Sequence, residues 1–248
     1  MSQPFPHSSV FITATDTGVG KTTITAALLM AMQRHGMSVR VMKPIETGVD
    51  PQNIHHSDTE RLRQMVTPIP LRESVCLYTF PQTLAPLSAA RETATTIEVD
   101  QIRSKVQDQS QKDGILLVEG AGGVLTPITP THTIRDLILA LKLPCLLIGD
   151  TSLGGVNHCL LTLEALDHAG IKTFGIVLNQ PTSQGRSAIT HQQHTSTKEL
   201  IQEWSSVPLF GPVSYQEMLE INWRAGIEQI SREPEIGRLA KYLMGKVP

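Results

Sequence analysis

A surplus of charge of either sign is absent from this 248-residue chain. Its 21 lysines and arginines face 23 aspartates and glutamates, the net charge is -2, and charged residues make up only 18%. Without a basic excess there is no electrostatic footprint for nucleic acid, and without a polybasic run none for an anionic membrane. No apolar run reaches the roughly 20 residues of a membrane-spanning helix. The opening MSQPFPHSS has neither a basic n-region nor an apolar h-region, so no signal peptide is expected. Cysteine is scarce: Cys76, Cys145 and Cys159 are odd in number and far apart, with no C-x-x-C pair. No disulfide framework is expected, and a reducing, cytoplasmic setting is. There is no internal repeat and no clear linker, so residues 1–248 read as one domain.

What is present is a hydrophobic content of 40%, arranged as apolar strands alternating with helical stretches. Strands are expected at Val10–Ala14, Ser38–Pro44, Ser74–Phe80, Ile115–Gly123 (running into a Gly-rich turn), Cys145–Asp150, Phe174–Pro181 and Val207–Val213. Helices are expected at Lys21–His35, closed by Gly36, and at Ser57–Val66, where Ser57 and Glu60 have capping-box spacing. Others are expected between Ile97 and Gly114, between Thr133 and Pro144, from Gly155 to Gly170, from Ser187 to Trp204, and near Glu235–Met244. Residues 45–56, 80–96 and 125–133 read as loops at one sheet edge. This order predicts an α/β fold with a mostly parallel sheet and helices on both faces, and a ligand site where the strands' C-terminal ends meet the loops.

The stretch TATDTGVGKTT, Thr13–Thr23, sits between the first strand and the first helix. That is the context of a phosphate-binding P-loop. Thr17, Gly18, Val19 and Gly20 would turn backbone N–H groups toward phosphate oxygens, and the helix N-terminus would add its own N–H groups and dipole. Lys21 would supply a point charge, Thr22 a hydroxyl for Mg²⁺, and Thr23 the next turn of the helix. Thr15 stands where the standard pattern has its first glycine. Asp16 stands where partitioning and division-site ATPases carry an extra lysine, which argues against a filament- or membrane-cycling switch.

Other residues carry two readings each. Lys43 ends a strand just before Pro44; by spacing alone it is equally a surface lysine. Asp58 reads first as a first-turn carboxylate favoured by the helix dipole. Glu119 ends a buried strand, where a solvated role is unexpected; Asp150, ending CLLIGD, is its rival as the metal-facing acid. Asn179 before Pro181 is also a good turn asparagine. His55, His56 and His158 have no zinc-ligand spacing.

TDTGVGKT, the K-P-x-x-T-G of Lys43–Gly48, VEGAGG at Val118–Gly123, LGGVNHCLLTLEAL at Leu153–Leu166 and GIVLNQ at Gly175–Gln180 occur in the order found in dethiobiotin synthetases, and the chain resembles that family from about residue 10 to about 215. The resemblance implies a P-loop enzyme that uses ATP and Mg²⁺ to join CO₂ to the diamine 7,8-diaminopelargonate and close a cyclic urea. It implies that Lys43 and Lys21 are catalytic, and that Thr22, Asp58 and Glu119 hold the metal. Gly120, Ala121 and Gly122 would approach the phosphates, while Asn179, Gln180, Val213, Ser214 and Tyr215 would contact the base. Thr47 would bind substrate. So would Leu153, Gly154 and Asn157, reaching the neighbouring subunit's site in a homodimer. Cobyrinate-amidating ligases are the nearest rival, but they would carry an added glutaminase domain with a cysteine nucleophile. A nucleotide-gated regulatory protein is the other, and Lys43 argues against it. The chain departs from the family at Ala14, Gly18, Leu87, Asp150–Ser152 and Ser214.

Overall fold

The computed structural model describes residues 9–182 and 188–245. The opening segment and the expected helix start at Ser187 lie outside them. Strands among the described residues are β1 (Ser9–Ala14), β2 (Val39–Met42), β3 (Ile45–Thr47), β4 (Tyr78–Phe80), β5 (Ile115–Glu119), β6 (Cys145–Asp150), β7 (Thr173–Asn179) and β8 (Leu209–Val213). Helices are α1 (Lys21–Arg34), α2 (Asp58–Arg63), α3 (Arg72–Val75), α4 (Pro86–Glu92), α5 (Val99–Ser110), α6 (Ile134–Leu141), α7 (Gly155–His168), α8 (Ala188–Trp204), α9 (Met218–Ile221), α10 (Trp223–Ile230) and α11 (Pro234–Met244).

Six strands form one sheet in the order β2-β5-β1-β6-β7-β8, and every pair in it is parallel. Parallel strands are covered on both faces, which is why their sequences are apolar runs and not alternating ones. Along β1 the burial divides by parity. Val10 and Ile12 face the core under α1, α10 and α11, while Phe11 faces the core under α4, α5 and α6. A third cluster joins β6 and β7 to α7 and α8 through Leu147, Cys159 and Ile201. All three cysteines are buried and unpaired.

β1 lies mid-sheet. Its outgoing connection runs through α1 on one face to β2, whereas that of its neighbour β5 runs through α6 on the other face to β6, so a crevice opens at the C-terminal end of β1. Such a crevice is where ligands bind in doubly wound sheets.

The structure corrects several sequence expectations. Residues 45–47, read as loop, form β3, which pairs in parallel with β4 as a separate two-stranded sheet. Of the strand expected at Ser74–Phe80, only Tyr78–Phe80 pairs as a strand, and Ser74 and Val75 end helix α3. The 80–96 stretch contains α4, with Pro86 in its first turn. Helices α9 and α10, absent from the sequence reading, fill the span after β8. Ser57 does cap α2, accepting from the Glu60 N–H at 3.2 Å. The box is not reciprocated, because the Glu60 carboxylate is held by Arg63 and Gln64.

Candidate active site

The P-loop wraps from the end of β1 to the start of α1. Gly18 and Gly20 have φ of +79° and +99°, a left-handed geometry that favours glycine. At Gly20 space adds to the demand, since a Cβ there would lie 2.2 Å from Asn179 Nδ2. That amide, at the end of β7, donates to Val19 O at 2.9 Å. No side chain caps α1, so its first backbone N–H groups are left for a ligand. Lys21 Nζ donates to Asp16 O at 3.0 Å. Burial, and then the charge of Lys43, bring the Lys21 pKa down to about 8.

Opposite the loop, three strand and helix ends deliver charge to one point. Glu119, in register with Ile12 of β1, is fully buried. Its Oε1 accepts from Thr22 Oγ1 at 2.7 Å and from Lys43 Nζ at 2.7 Å. Lys43 Nζ also lies 2.9 Å from Asp58 Oδ2. Burial alone would lower the Lys43 pKa, but Glu119 and then Asp58 outweigh it and carry it above its ordinary value. Lys43 therefore stays cationic. For Asp58, burial pushes the carboxyl up, and Lys43 more than reverses this to leave it below the usual range.

Glu46 was not singled out by sequence reasoning. Its buried carboxylate accepts from the backbone N–H of Asp58 at 2.5 Å and of Thr59 at 3.2 Å, so it anchors the start of α2 and aims Asp58 inward. The signal for it was a strand three residues long, which is too short to show a pattern.

These groups meet a cavity of about 510 Å³. Thr17, Gly18, Gly20, Lys21, Thr22, Thr23, Lys43, Thr47, Asp58, Ala121 and Gly122 line it. Val19 and Gly120 are buried, and a Cβ on Gly120 would meet the Phe11 ring at 2.9 Å. Asn179 stands behind the P-loop. Gln180, Val213, Ser214 and Tyr215 are not on the cavity wall. The Gln180 N–H donates to Val213 O at 3.0 Å, the Gln180 side chain meets His194 Nδ1 at 2.5 Å, Ser214 is exposed, and the Tyr215 hydroxyl donates to Glu220. Leu153, Gly154 and Asn157 are exposed around the start of α7 and do not line the cavity. Asp150 accepts from the Ser152 N–H at 2.9 Å and the Ser152 hydroxyl at 2.7 Å, and it also lies off the cavity.

The donor set suits a hard divalent cation. Glu119 Oε2 is buried with no hydrogen-bond partner. Asp58 and the Thr22 hydroxyl lie beside the same Glu119–Lys43 pair. Among the described residues no three or more His, Cys, Asp or Glu side chains converge as a cage. Mg²⁺ needs none, because it keeps waters and takes one or two carboxylates together with phosphate oxygens. The arrangement as a whole can hold a polyphosphate between a P-loop and two lysines, with carboxylates for a metal.

Residues 8–222 match a family model described as an AAA domain. The ATP-dependent dethiobiotin synthetase of Anaeromyxobacter sp. (strain K) is 34% identical over 234 residues, covering 94% of each chain. That of Lysinibacillus sphaericus is 34% identical over 176 residues, covering 69% of this chain and 75% of its own. Among solved structures, the MinD cell division protein of Aquifex aeolicus superposes with a TM-score of 0.58 at 14% identity over 96% of both chains. The cell division ATPase MinD of Pyrococcus furiosus does so at 0.57 and 17%, over 96% of this chain and 98% of its own. At such identities these two share the fold alone.

Proposed function

Because the chain belongs to the family of the ATP-dependent dethiobiotin synthetases, we propose that it catalyses the ATP- and Mg²⁺-dependent carboxylation of 7,8-diaminopelargonate with CO₂ and the closure of the cyclic urea. The observation that carries this reading is the meeting of Lys21, Thr22, Lys43 and Asp58 on the wall of one P-loop cavity, with the buried Glu119 bonded to Thr22 and Lys43. One amine takes up CO₂ as a carbamate and releases a proton. The carbamate oxygen attacks the γ-phosphorus and ADP leaves, giving a carbamic–phosphoric anhydride. The second amine then attacks the carbonyl carbon and expels phosphate.

Negative charge gathers on the transferring phosphoryl group, so fixed cations in a water-poor site lower the barrier. Lys21 meets the β- and γ-phosphates from the P-loop. Lys43, cationic and held by two carboxylates, meets the transferring group from across the cavity. Thr47, on β3 beside it, fits a hydroxyl ligand for the diamine. Thr22, Asp58 and Glu119 would hold Mg²⁺, which when bound offsets phosphate charge. Asn179, Gln180, Val213, Ser214 and Tyr215 form the region assigned to the adenine base. One domain carries the nucleotide and metal residues, and the substrate contacts of Leu153, Gly154 and Asn157 go to the partner's pocket in a homodimer. Among the described residues no helix is long and apolar enough to cross a membrane. The proposal sets the enzyme in the cytoplasm, a reading supported by three cysteines that are all unpaired.

The test is phosphate release by purified protein with ATP, Mg²⁺ and bicarbonate. Release should require the diamine, and mass spectrometry should find the cyclic urea. Phosphate release indifferent to the diamine would overturn the assignment.

A further inference from the structure

One cation on the cavity wall takes no part in that chemistry. Arg61 lies on α2 three residues after Asp58, hence on the same helix face. It lines the cavity together with Thr23 and Trp223. Its guanidinium carbon sits 5.3 Å from the centre of the Trp223 ring. Trp223 opens α10, and α10 is tied to α2 by Arg224 Nη1 donating to Gln64 O at 3.1 Å. The two helices are therefore fastened next to the stacked pair, and the indole forms a platform that holds the guanidinium at the cavity edge.

The contrast with the other cations shows what Arg61 is free to do. Lys43 is bound by Asp58 and Glu119, and Lys21 by a backbone carbonyl. Among the described residues, no hydrogen bond or ion pair engages the Arg61 guanidinium. Nearby Asp58 gives its carboxylate to Lys43 instead. Arg61 thus presents unspent N–H donors in a planar fork, the geometry that binds two oxygens of a phosphate at once. A carboxylate has the same fork-matching chemistry. The phosphate is favoured because Arg61 stands on the face that carries Asp58, beside the P-loop residue Thr23 on the wall.

We propose that Arg61 is a further nucleotide-binding residue, clamping phosphate oxygens from the side facing the P-loop, with Trp223 as the positioning residue that holds it ready. The proposal rests on the nucleotide reading of the cavity.

The experiment measures ATP affinity by calorimetry, KM for the diamine substrate, and the melting temperature without ligand, for the wild type, Arg61→Gln, Arg61→Lys and Trp223→Leu. Charge-assisted hydrogen bonds of this kind correspond to about a ten- to hundredfold change. Arg61→Gln should weaken ATP by that factor and leave the diamine KM and the melting temperature near their wild-type values. Arg61→Lys, keeping the charge and losing the fork, should recover part of the loss. Trp223→Leu, which loses the platform and part of the indole's packing against the core under α1, should weaken ATP about two- to fivefold. A raised diamine KM with unchanged ATP affinity would overturn the proposal in favour of a substrate carboxylate. Unchanged values for both would make Arg61 a solvated surface charge. Loss of ATP affinity in step with a falling melting temperature in both Arg61 variants would make it structural. If the wild type itself bound no ATP, the nucleotide reading would fail; a defect confined to the variants leaves that reading intact.

Discussion

Lys43 and Lys21 are both buried lysines, yet carboxylate neighbours prevail at the first and burial, with the charge of Lys43, at the second. Lys43 is locked cationic by two carboxylates, while Lys21 is brought down to about 8. Lys43→Ala should lower kcat by about a hundred- to a thousandfold, the usual cost of removing a preorganised charge-stabilising group. ATP binding should survive it. Lys21→Ala should lose turnover and ATP affinity together, as nucleotide titrations beside initial rates would show. Near-normal turnover in Lys43→Ala would remove that residue from the mechanism. Truncating Lys43 also leaves Asp58 and Glu119 facing each other without their cation, a change worth about 3–5 kcal/mol. Rates should therefore be compared well below each variant's melting temperature. For the metal, Glu119→Gln should ruin the Mg²⁺ titration of activity and Asp150→Asn should leave it nearly normal, because Asp150 spends its oxygens on Ser152. The reverse result would exchange their roles. At this scale the sequence was legible where a motif carried the residue: the P-loop, Lys43 and Glu119 could all be named from it. Glu46 and Arg61 could not, since the place of each depends on a partner that no local pattern records: the backbone N–H groups at the start of α2 for Glu46 and the Trp223 ring for Arg61.

Among the elements, α6 gives the cleanest local test. Thr133 caps it, accepting from the Asp136 N–H, while the Asp136 carboxylate accepts from the Thr133 N–H and hydroxyl, both at 2.7 Å. Thr133→Ala should cost about 1 kcal/mol in urea unfolding. Burial pushes the Asp136 carboxyl up, but the Thr133 bonds prevail and leave it below the ordinary 3.8. A depressed carboxyl stabilises the fold above its unfolded pKa, and that stability is lost as pH falls through the folded value. Unfolding measured from about pH 5 to about pH 2 should show wild-type stability falling in that window more steeply than that of Asp136→Asn. Parallel slopes would mean the carboxylate contributes no pH-dependent stability. The long buried strands and α1 were legible because an apolar run or a helical period repeats over enough residues. β3 and β4, of three residues each, were not. They are held by pairing with each other across intervening chain, which no local pattern records. Helix α10 was missed for a similar reason: its apolar Ile227 and Ile230 gain meaning only against α1.

For the molecule as a whole, the segment at the start of α7 poses the main question. Leu153 is 89% exposed, and Asn157 is exposed nearby. A substrate role for them requires a second chain in two-fold symmetry. Mixing inactive Lys43→Ala with inactive Asn157→Ala and allowing subunit exchange should restore activity, since each mixed dimer then has one pocket with neither lesion. The ceiling is about half of its sites, as two-fold geometry requires. No recovery after verified exchange would mean that Asn157 serves its own chain or none. The order of apolar strands and helices, read with G-K-T after the first strand, was enough to call for a parallel α/β sheet with a P-loop at a strand's C-terminal end. Periodicity and turn chemistry are local properties, and they are written along the chain. The strand order β2-β5-β1-β6-β7-β8, the meeting of Thr22, Lys43, Asp58 and Glu119, and the stacking of Arg61 on Trp223 were decided only in three dimensions. Each depends on contacts between residues far apart in sequence, and such contacts arise from burial and charge pairing in the assembled core.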